Sequence, residues 1–182
     1  MTRKLFLAVA IPLTLLSLTW LILTPILFPP TTAQAEISAV HPGFMAPDFT
    51  LKTEQGESRS LSDYQGQPVL VFLWASWCSV CKATMPGLQR VYDDYAPEGF
   101  EILAINLTEQ DTLANALSYF QAQNYRYTLL FDDEGTVAQT YQVRALPTSV
   151  LVAPDGTVLD VVIGSGMSEG VLRAHLNQLI SP

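Results

Sequence analysis

Apolar and polar positions along this chain switch repeatedly between a period of two and a period near 3.6. Residues Val69–Trp74 form an unbroken apolar run rich in β-branched and aromatic side chains, which predicts a strand buried on both faces. Behind it Val80, Thr84, Leu88, Val91 and Tyr95 recur at intervals of three to four, a helical stripe over Ser79–Tyr95. Pro86 falls inside that stripe; it removes one backbone donor and predicts a bend. Phe100–Leu107 reads as the next buried strand, and Asp111–Asn124 as an amphipathic helix with Leu113, Ala116, Leu117 and Phe120 on one face.

The remaining pattern closes a sheet. Tyr127–Phe131 predicts a strand, Gly135–Tyr141 a short helix, and Ser149–Ala153 and Val158–Ile163 two strands joined through Pro154-Asp155-Gly156. The Asp-Gly turn makes those two an antiparallel pair. Ser168–Ile180 predicts a last helix, with Ser168 as its N-cap. Upstream, Phe49–Lys52 alternates as a short strand and Gln55-Gly56-Glu57 is a turn leading to Arg59-Ser60-Leu61, with Ser62 or Asp63 capping a short turn beyond. Strands and helices alternate and a hairpin ends the series, so the predicted class is α/β with a mixed central sheet flanked by helices.

The N-terminus has a different pattern. Arg3 and Lys4 precede Leu5–Phe28, 24 residues without a charge. As a helix this stretch would span about 36 Å, enough for a hydrocarbon core of about 30 Å. The basic residues come before it, so Met1 is expected on the cytoplasmic side and everything after Phe28 outside. Ala33-Gln34-Ala35 also fits a signal-peptidase site, so residues 1–28 read as a transmembrane anchor or a cleaved signal. Both readings export the rest of the chain into a compartment that tolerates disulfides. Residues 29–45, beginning Pro29-Pro30-Thr31-Thr32, read as linker, and 46–182 as a single domain.

Composition narrows the function. The chain has nine basic and 17 acidic residues; Arg3 and Lys4 lie in the first 35, where there is no acid, so residues 36–182 carry a net charge of about −10. A nucleic-acid or anionic-lipid binding face is not expected from such a domain.

The candidate chemistry is the pair Cys78 and Cys81, the only cysteines present, placed where the buried strand passes into the first turn of the long helix. Unpaired N–H groups and the positive end of the dipole there favour a thiolate at Cys78. Cys81, one turn on, is spaced to resolve a mixed disulfide formed at Cys78. A structural zinc wants four ligands, and no second Cys or His pair accompanies these two. A structural disulfide over so short a loop would add little stability. A dithiolate carrier of copper(I) remains chemically open. His41 in the linker and His175 in the last helix have no assigned role, and no cofactor or metal beyond the redox-active pair is expected.

The stretch Trp74-Ala75-Ser76-Trp77-Cys78-Ser79-Val80-Cys81-Lys82 resembles the active-site motif of the thioredoxin superfamily. With Ala46-Pro47-Asp48-Phe49-Thr50-Leu51, Leu61–Gly66 and Leu146-Pro147-Thr148, the chain from about Ala46 to Ile180 is similar to the membrane-anchored TlpA/ResA-like thiol-disulfide oxidoreductases. That resemblance implies a thioredoxin-like fold with an N-terminal β-hairpin before the core. It also implies a cis peptide bond at Pro147, facing the disulfide and leaving the Leu146 backbone free to pair with a bound peptide. Thr148 follows in the same motif. Trp74 and Trp77 are expected to pack and shield the site. The implied partners are disulfide-containing protein substrates and a membrane electron donor, with the membrane reached through the N-terminal segment.

Three departures from the family pattern bear on function. Thr84 stands where cytochrome-maturation members carry a glutamate, Phe72 where thioredoxins bury an aspartate, and Ser79-Val80 lacks a proline between the cysteines. The expected activity is reduction of disulfides in exported proteins, with apocytochrome c as one substrate. The alternatives are a disulfide oxidase or isomerase using the same pair, and a copper(I) carrier. A thiol peroxidase lacks its separate peroxidatic cysteine. Lys82 reads as a solvated helix residue, and Tyr125 and Tyr127 as sheet-edge aromatics.

Overall fold

A computed structural model describes residues 40–180. The N-terminal segment expected to be an anchor or signal lies outside them, and so does most of the expected linker. Among the described residues no helix is long and apolar enough to cross a membrane.

Seven strands form one mixed sheet in the order β2-β1-β5-β4-β3-β6-β7. They are β1 (Thr50–Lys52), β2 (Ser58–Ser60), β3 (Val69–Trp74), β4 (Glu101–Asn106), β5 (Thr128–Phe131), β6 (Thr148–Val152) and β7 (Val158–Ile163). The helices are α1 (Ser79–Tyr95), α2 (Leu113–Ala122), α3 (Thr136–Thr140) and α4 (Glu169–Ile180). β3, β4 and β5 run parallel, whereas β6 is antiparallel to β3, and β7 to β6. β1 and β2 form the expected hairpin, which joins the sheet through one antiparallel pairing, Lys52 with Phe131.

All six residues of β3 are buried. Its even positions Leu70, Phe72 and Trp74 enter a core with Cys78, Cys81, Met85, Leu88 and Val91 of α1, Ala116 and Phe120 of α2, and Leu172 and Leu176 of α4. Its odd positions Val69, Val71 and Leu73 enter a second core with Val137 of α3, Phe49 and Leu61. Alternation along a strand sends neighbours to opposite faces, so cover on both sides requires an unbroken apolar run. Each large aliphatic side chain so buried contributes about 1.5–3 kcal/mol of transfer free energy.

Several expectations need correcting. The buried stripe of α1 is Cys81, Met85, Leu88 and Val91; Val80 is exposed and Thr84 half-buried. Both sets have helical spacing, and packing of α4 and the sheet against one side selects between them. Leu113 is likewise exposed, while Ala116 and Phe120 face the core. Tyr127 is not an edge residue: it is buried within an aromatic cluster with Phe120, Tyr92 and Tyr125, because β1 rather than β5 lies toward the edge. Ser60, not Ser62 or Asp63, occupies the cap of the short turn at Leu61–Tyr64, and its N–H donates to the Asp63 carboxylate at 2.7 Å.

Residues ahead of Ala46 also pack on the fold. Val40 is buried, the Gly43 N–H donates to the Val158 carbonyl at 2.8 Å, and the Val158 N–H returns to Phe44 at 2.8 Å. The β6–β7 turn lies at Pro154-Asp155-Gly156 as read, with Gly156 at φ +89°, where a side chain would be strained. Ser168 accepts the Val171 N–H at 3.4 Å, in keeping with an N-cap of α4.

Candidate active site

Cys78 is the N-cap of α1, in extended backbone conformation, and is joined to Cys81 by a disulfide with Cα atoms 5.2 Å apart. The Cys81 N–H donates to Cys78 Sγ at 3.1 Å. Side-chain capping normally falls to Ser, Thr, Asp or Asn oxygen; here the Cys78 sulfur takes that place, so a helix-end donor points at it. The two cysteines are not equivalent: both are buried, but Cys78 keeps 6% exposure and Cys81 none.

The other residues singled out from the motif lie around this turn. Trp74 is fully buried at the end of β3, against Tyr119 and Phe120 of α2. Trp77 is 58% exposed and is held by its indole N–H, which donates to the Gln110 carbonyl at 2.9 Å. Pro147 follows a cis peptide bond and is buried, and its carbonyl accepts the Gly164 N–H at 2.7 Å. Thr148 pairs with Leu73 across β3–β6 and donates its hydroxyl to the Ala145 carbonyl at 2.8 Å. That register sets Pro147 beside the end of β3 from which the cysteine turn departs. Leu146 packs against the core that contains both cysteines.

The departures from the family pattern have structural counterparts. The Thr84 hydroxyl donates to the Val80 carbonyl of its own helix at 3.0 Å. Phe72 is fully buried in the dithiol's core. Lys82 is exposed, with its ammonium 4.8 Å from the Tyr119 ring centre. His175 meets Asp160 at 3.2 Å, and His41 has no bond to the site. Among the described residues, no three His, Cys, Asp or Glu side chains are placed to hold a metal. A cavity of about 150 Å³ lies at the opposite end of β3, lined by Tyr64, Val69 and Val152 among others, remote from the disulfide.

One cluster escaped the sequence reading. The Asp111 carboxylate accepts from the Ser76 N–H at 2.5 Å and hydroxyl at 2.7 Å, from the Asn106 amide at 3.0 Å and from the Thr112 N–H at 2.8 Å. Burial alone would raise this carboxyl, but the donors from Asn106, Ser76 and Thr112 together hold it below its ordinary value. Facing a carboxylate with its nitrogen, Asn106 turns its oxygen inward, where that oxygen is buried without a partner. The only sequence signal was the run Gln110-Asp111-Thr112 at the start of a helix, and Thr112 proves to be the cap.

A thioredoxin-like sheet with a dithiol at a helix N-terminus, opposite a cis-proline, defines the class of thiol-disulfide exchange proteins. The chain belongs to the AhpC/TSA family, whose match spans residues 42–161. It is 32% identical over 144 residues to the thiol-disulfide oxidoreductase ResA of Geobacillus kaustophilus, covering 79% of this chain and 81% of that one. Among solved structures it is similar to a protein assigned as thiol:disulfide interchange protein DsbE from Chlorobium tepidum, with a TM-score of 0.71 and 29% identity over 78% of this chain and 99% of that one. It is also similar to a secreted Mycobacterium tuberculosis disulfide oxidoreductase homologous to Escherichia coli DsbE, with a TM-score of 0.64 and 26% identity over 72% and 96% of the two chains. The protein is a thiol-disulfide oxidoreductase of the ResA/DsbE type, with Cys78 and Cys81 as its Cys-x-x-Cys pair.

Proposed function

We propose that this protein reduces disulfides in exported proteins from a membrane-tethered position outside the cytoplasm. The observation that carries the direction of attack is the asymmetry of the pair. Cys78 keeps 6% exposure and lies on the N-cap with a backbone N–H aimed at its sulfur; Cys81 is wholly enclosed. A thiolate at Cys78 is stabilised by that donor and by the helix dipole.

In the proposed cycle the reduced Cys78 thiolate attacks one sulfur of a substrate disulfide. That S–S bond breaks, one substrate thiolate leaves and takes a proton, and a mixed disulfide forms at Cys78. The Cys81 thiol gives its proton to solvent, its sulfur attacks Cys78, and the second substrate thiolate departs. Two electrons pass to the substrate and the Cys78–Cys81 disulfide is restored. A membrane electron donor then re-reduces the pair, which is itself the redox group.

The supporting residues follow from their places. Among the described residues none hydrogen-bonds the Leu146 backbone, which supports its pairing with an extended substrate segment beside Pro147. Trp77 offers an exposed indole at the rim, Trp74 packs the base of the turn, and Thr148 ties the proline loop to β6. Tethering rests on the charge-free stretch Leu5–Phe28 after Arg3 and Lys4, and export is supported by similarity to a secreted oxidoreductase. Among exported substrates we favour proteins that need a free dithiol for a later step, apocytochrome c included.

The test uses Cys→Ser variants of the full chain. Cys81→Ser is expected to accumulate mixed disulfides with partner proteins, and Cys78→Ser to lose reductase activity to background and trap nothing; equal trapping by Cys78→Ser would overturn the assignment of the attacking residue. Equilibration with glutathione then fixes the direction of electron flow: a potential near about −270 mV supports a reductant, and one near about −120 mV makes the protein an oxidant. Stoichiometric copper(I) binding without a reversible couple would replace both readings with a metal carrier.

A further inference from the structure

Ser76 and Trp77, the two residues immediately before Cys78, are held by two consecutive residues that follow β4. The Gln110 carbonyl accepts the Trp77 indole N–H, and the Asp111 carboxylate accepts both the N–H and the hydroxyl of Ser76. Gln110 is itself fixed by its N–H to the Leu107 carbonyl at 2.9 Å, and Leu107 by its N–H to the Trp74 carbonyl at 3.0 Å. The cysteine turn has one backbone bond of its own, from the Cys78 N–H to the Ala75 carbonyl at 3.1 Å. Cys78 is tied onward to α1, its carbonyl accepting the Lys82 N–H at 3.1 Å, while the side-chain bonds that hold Ser76 and Trp77 come from the segment opposite.

Asp111 is the joint of this arrangement. Its two oxygens receive four donors, two from Ser76 just beyond β3, one from Asn106 at the end of β4 and one from Thr112, the N-cap of α2. Every contact requires an acceptor, and an ionised carboxylate is the side chain that offers only acceptors. An asparagine of the same shape would present one acceptor oxygen and turn an NH₂ group against a donor. Charge-assisted bonds of this kind are short and directional, which suits them to holding a turn.

We propose that Asp111 is a positioning residue of the thiol-disulfide exchange. Together with the Gln110 carbonyl it fixes the Ser76–Trp77 turn, and through it the line along which Cys78 Sγ meets a substrate sulfur. Displacement of reacting atoms by about 1 Å can cost up to about a hundredfold in rate, so a joint two residues from the nucleophile has leverage. The inference rests on Cys78 being the attacking residue.

The test is the single-turnover rate of the reduced full-length chain with oxidised glutathione, measured across pH for the wild type and Asp111→Asn. A positioning role predicts that the high-pH plateau, where Cys78 is fully thiolate, falls by about tenfold while the midpoint of the profile stays in place. A purely electrostatic role would move the midpoint and leave the plateau. A plateau within about twofold of the wild type therefore overturns the proposal, whether or not the midpoint moves. Should Asp111→Asn not fold, Ser76→Ala decides: it removes one of the four bonds and keeps the Ser76 N–H, and positioning predicts a plateau about threefold lower, no change being the overturning result. A Cys78→Ser chain that reacts as fast as the wild type would instead overturn the attacking-residue assignment, with no bearing on what Asp111 holds.

Discussion

At its start α1 has Cys78 as N-cap and Ser79, Val80 and Cys81 in its first turn with no acidic side chain, and one backbone donor, the Cys81 N–H, faces the Cys78 sulfur. At its far end the same helix carries Arg90, Asp93, Asp94 and Tyr95, each engaged by another element. Arg90 pairs with Glu169 of α4 at 2.8 Å, and Arg173 of α4 reaches Asp94 at 2.6 Å and Glu169 at 3.0 Å. Tyr95 donates to Asn177 at 2.6 Å, and Arg126 pairs with Asp93. Hydrogen bonds from Arg90 and Arg173 hold the Glu169 carboxyl below its ordinary value. One end carries no acidic side chain; the other has its charges already paired. Pairing of exposed charges adds little stability, so the far-end network secures register between α1 and α4 more than it adds energy.

This contrast can be broken in several places. The largest effect is expected from the core that both ends share. Leu88→Ala removes a fully buried side chain between them and should cost about 2–5 kcal/mol, read by denaturant unfolding. A loss below about 1 kcal/mol would mean that α1 is held by its ends instead. Next comes charge at the acid-free end. Ser79→Asp sets a carboxylate in the first turn beside the Cys78 sulfur, where it disfavours the thiolate, and should slow alkylation of Cys78 at neutral pH by about threefold or more. Gln89→Glu places the same charge near the far end and should leave that rate unchanged. Equal effects from the two would dissolve the distinction.

Acid should act more modestly, through Asp111. Its folded carboxyl is held below the ordinary value of 3.8, so its stabilisation is fully present above that value and is lost as pH falls through the lower folded value. The wild type should therefore lose more Tm than Asp111→Asn between pH 5 and pH 2; parallel losses would show that the four bonds add nothing to folding. The smallest effect is expected from Arg173→Gln, which unties the far end. Its Tm should move by no more than a few degrees and its reduction potential not at all. A shifted potential there would show that the two ends communicate.

Much of this was legible in the chain itself. The unbroken run Val69–Trp74, the helical spacing behind it and the Asp-Gly turn placed the strands, the long helix and the closing hairpin within a residue or two. The two cysteines could be located at a helix start from the same pattern. The misreadings share one cause. Val80 and Leu113 have helical spacing yet are exposed, and Tyr127 is buried although its neighbours are polar, because periodicity tells which residues share a face and not which face is covered.

By itself the sequence determined the period of each element and the position of the dithiol between strand and helix, since these depend on neighbours a few residues apart. Only the tertiary structure decided that Asp111 and Gln110 would hold Ser76 and Trp77, 33 to 35 residues away. It also decided that Cys78 keeps a small exposure while Cys81 has none. Hydrogen bonds and burial between distant segments leave no periodic trace, because they are set by the register in which β3 and β4 align and by the helices that pack on them.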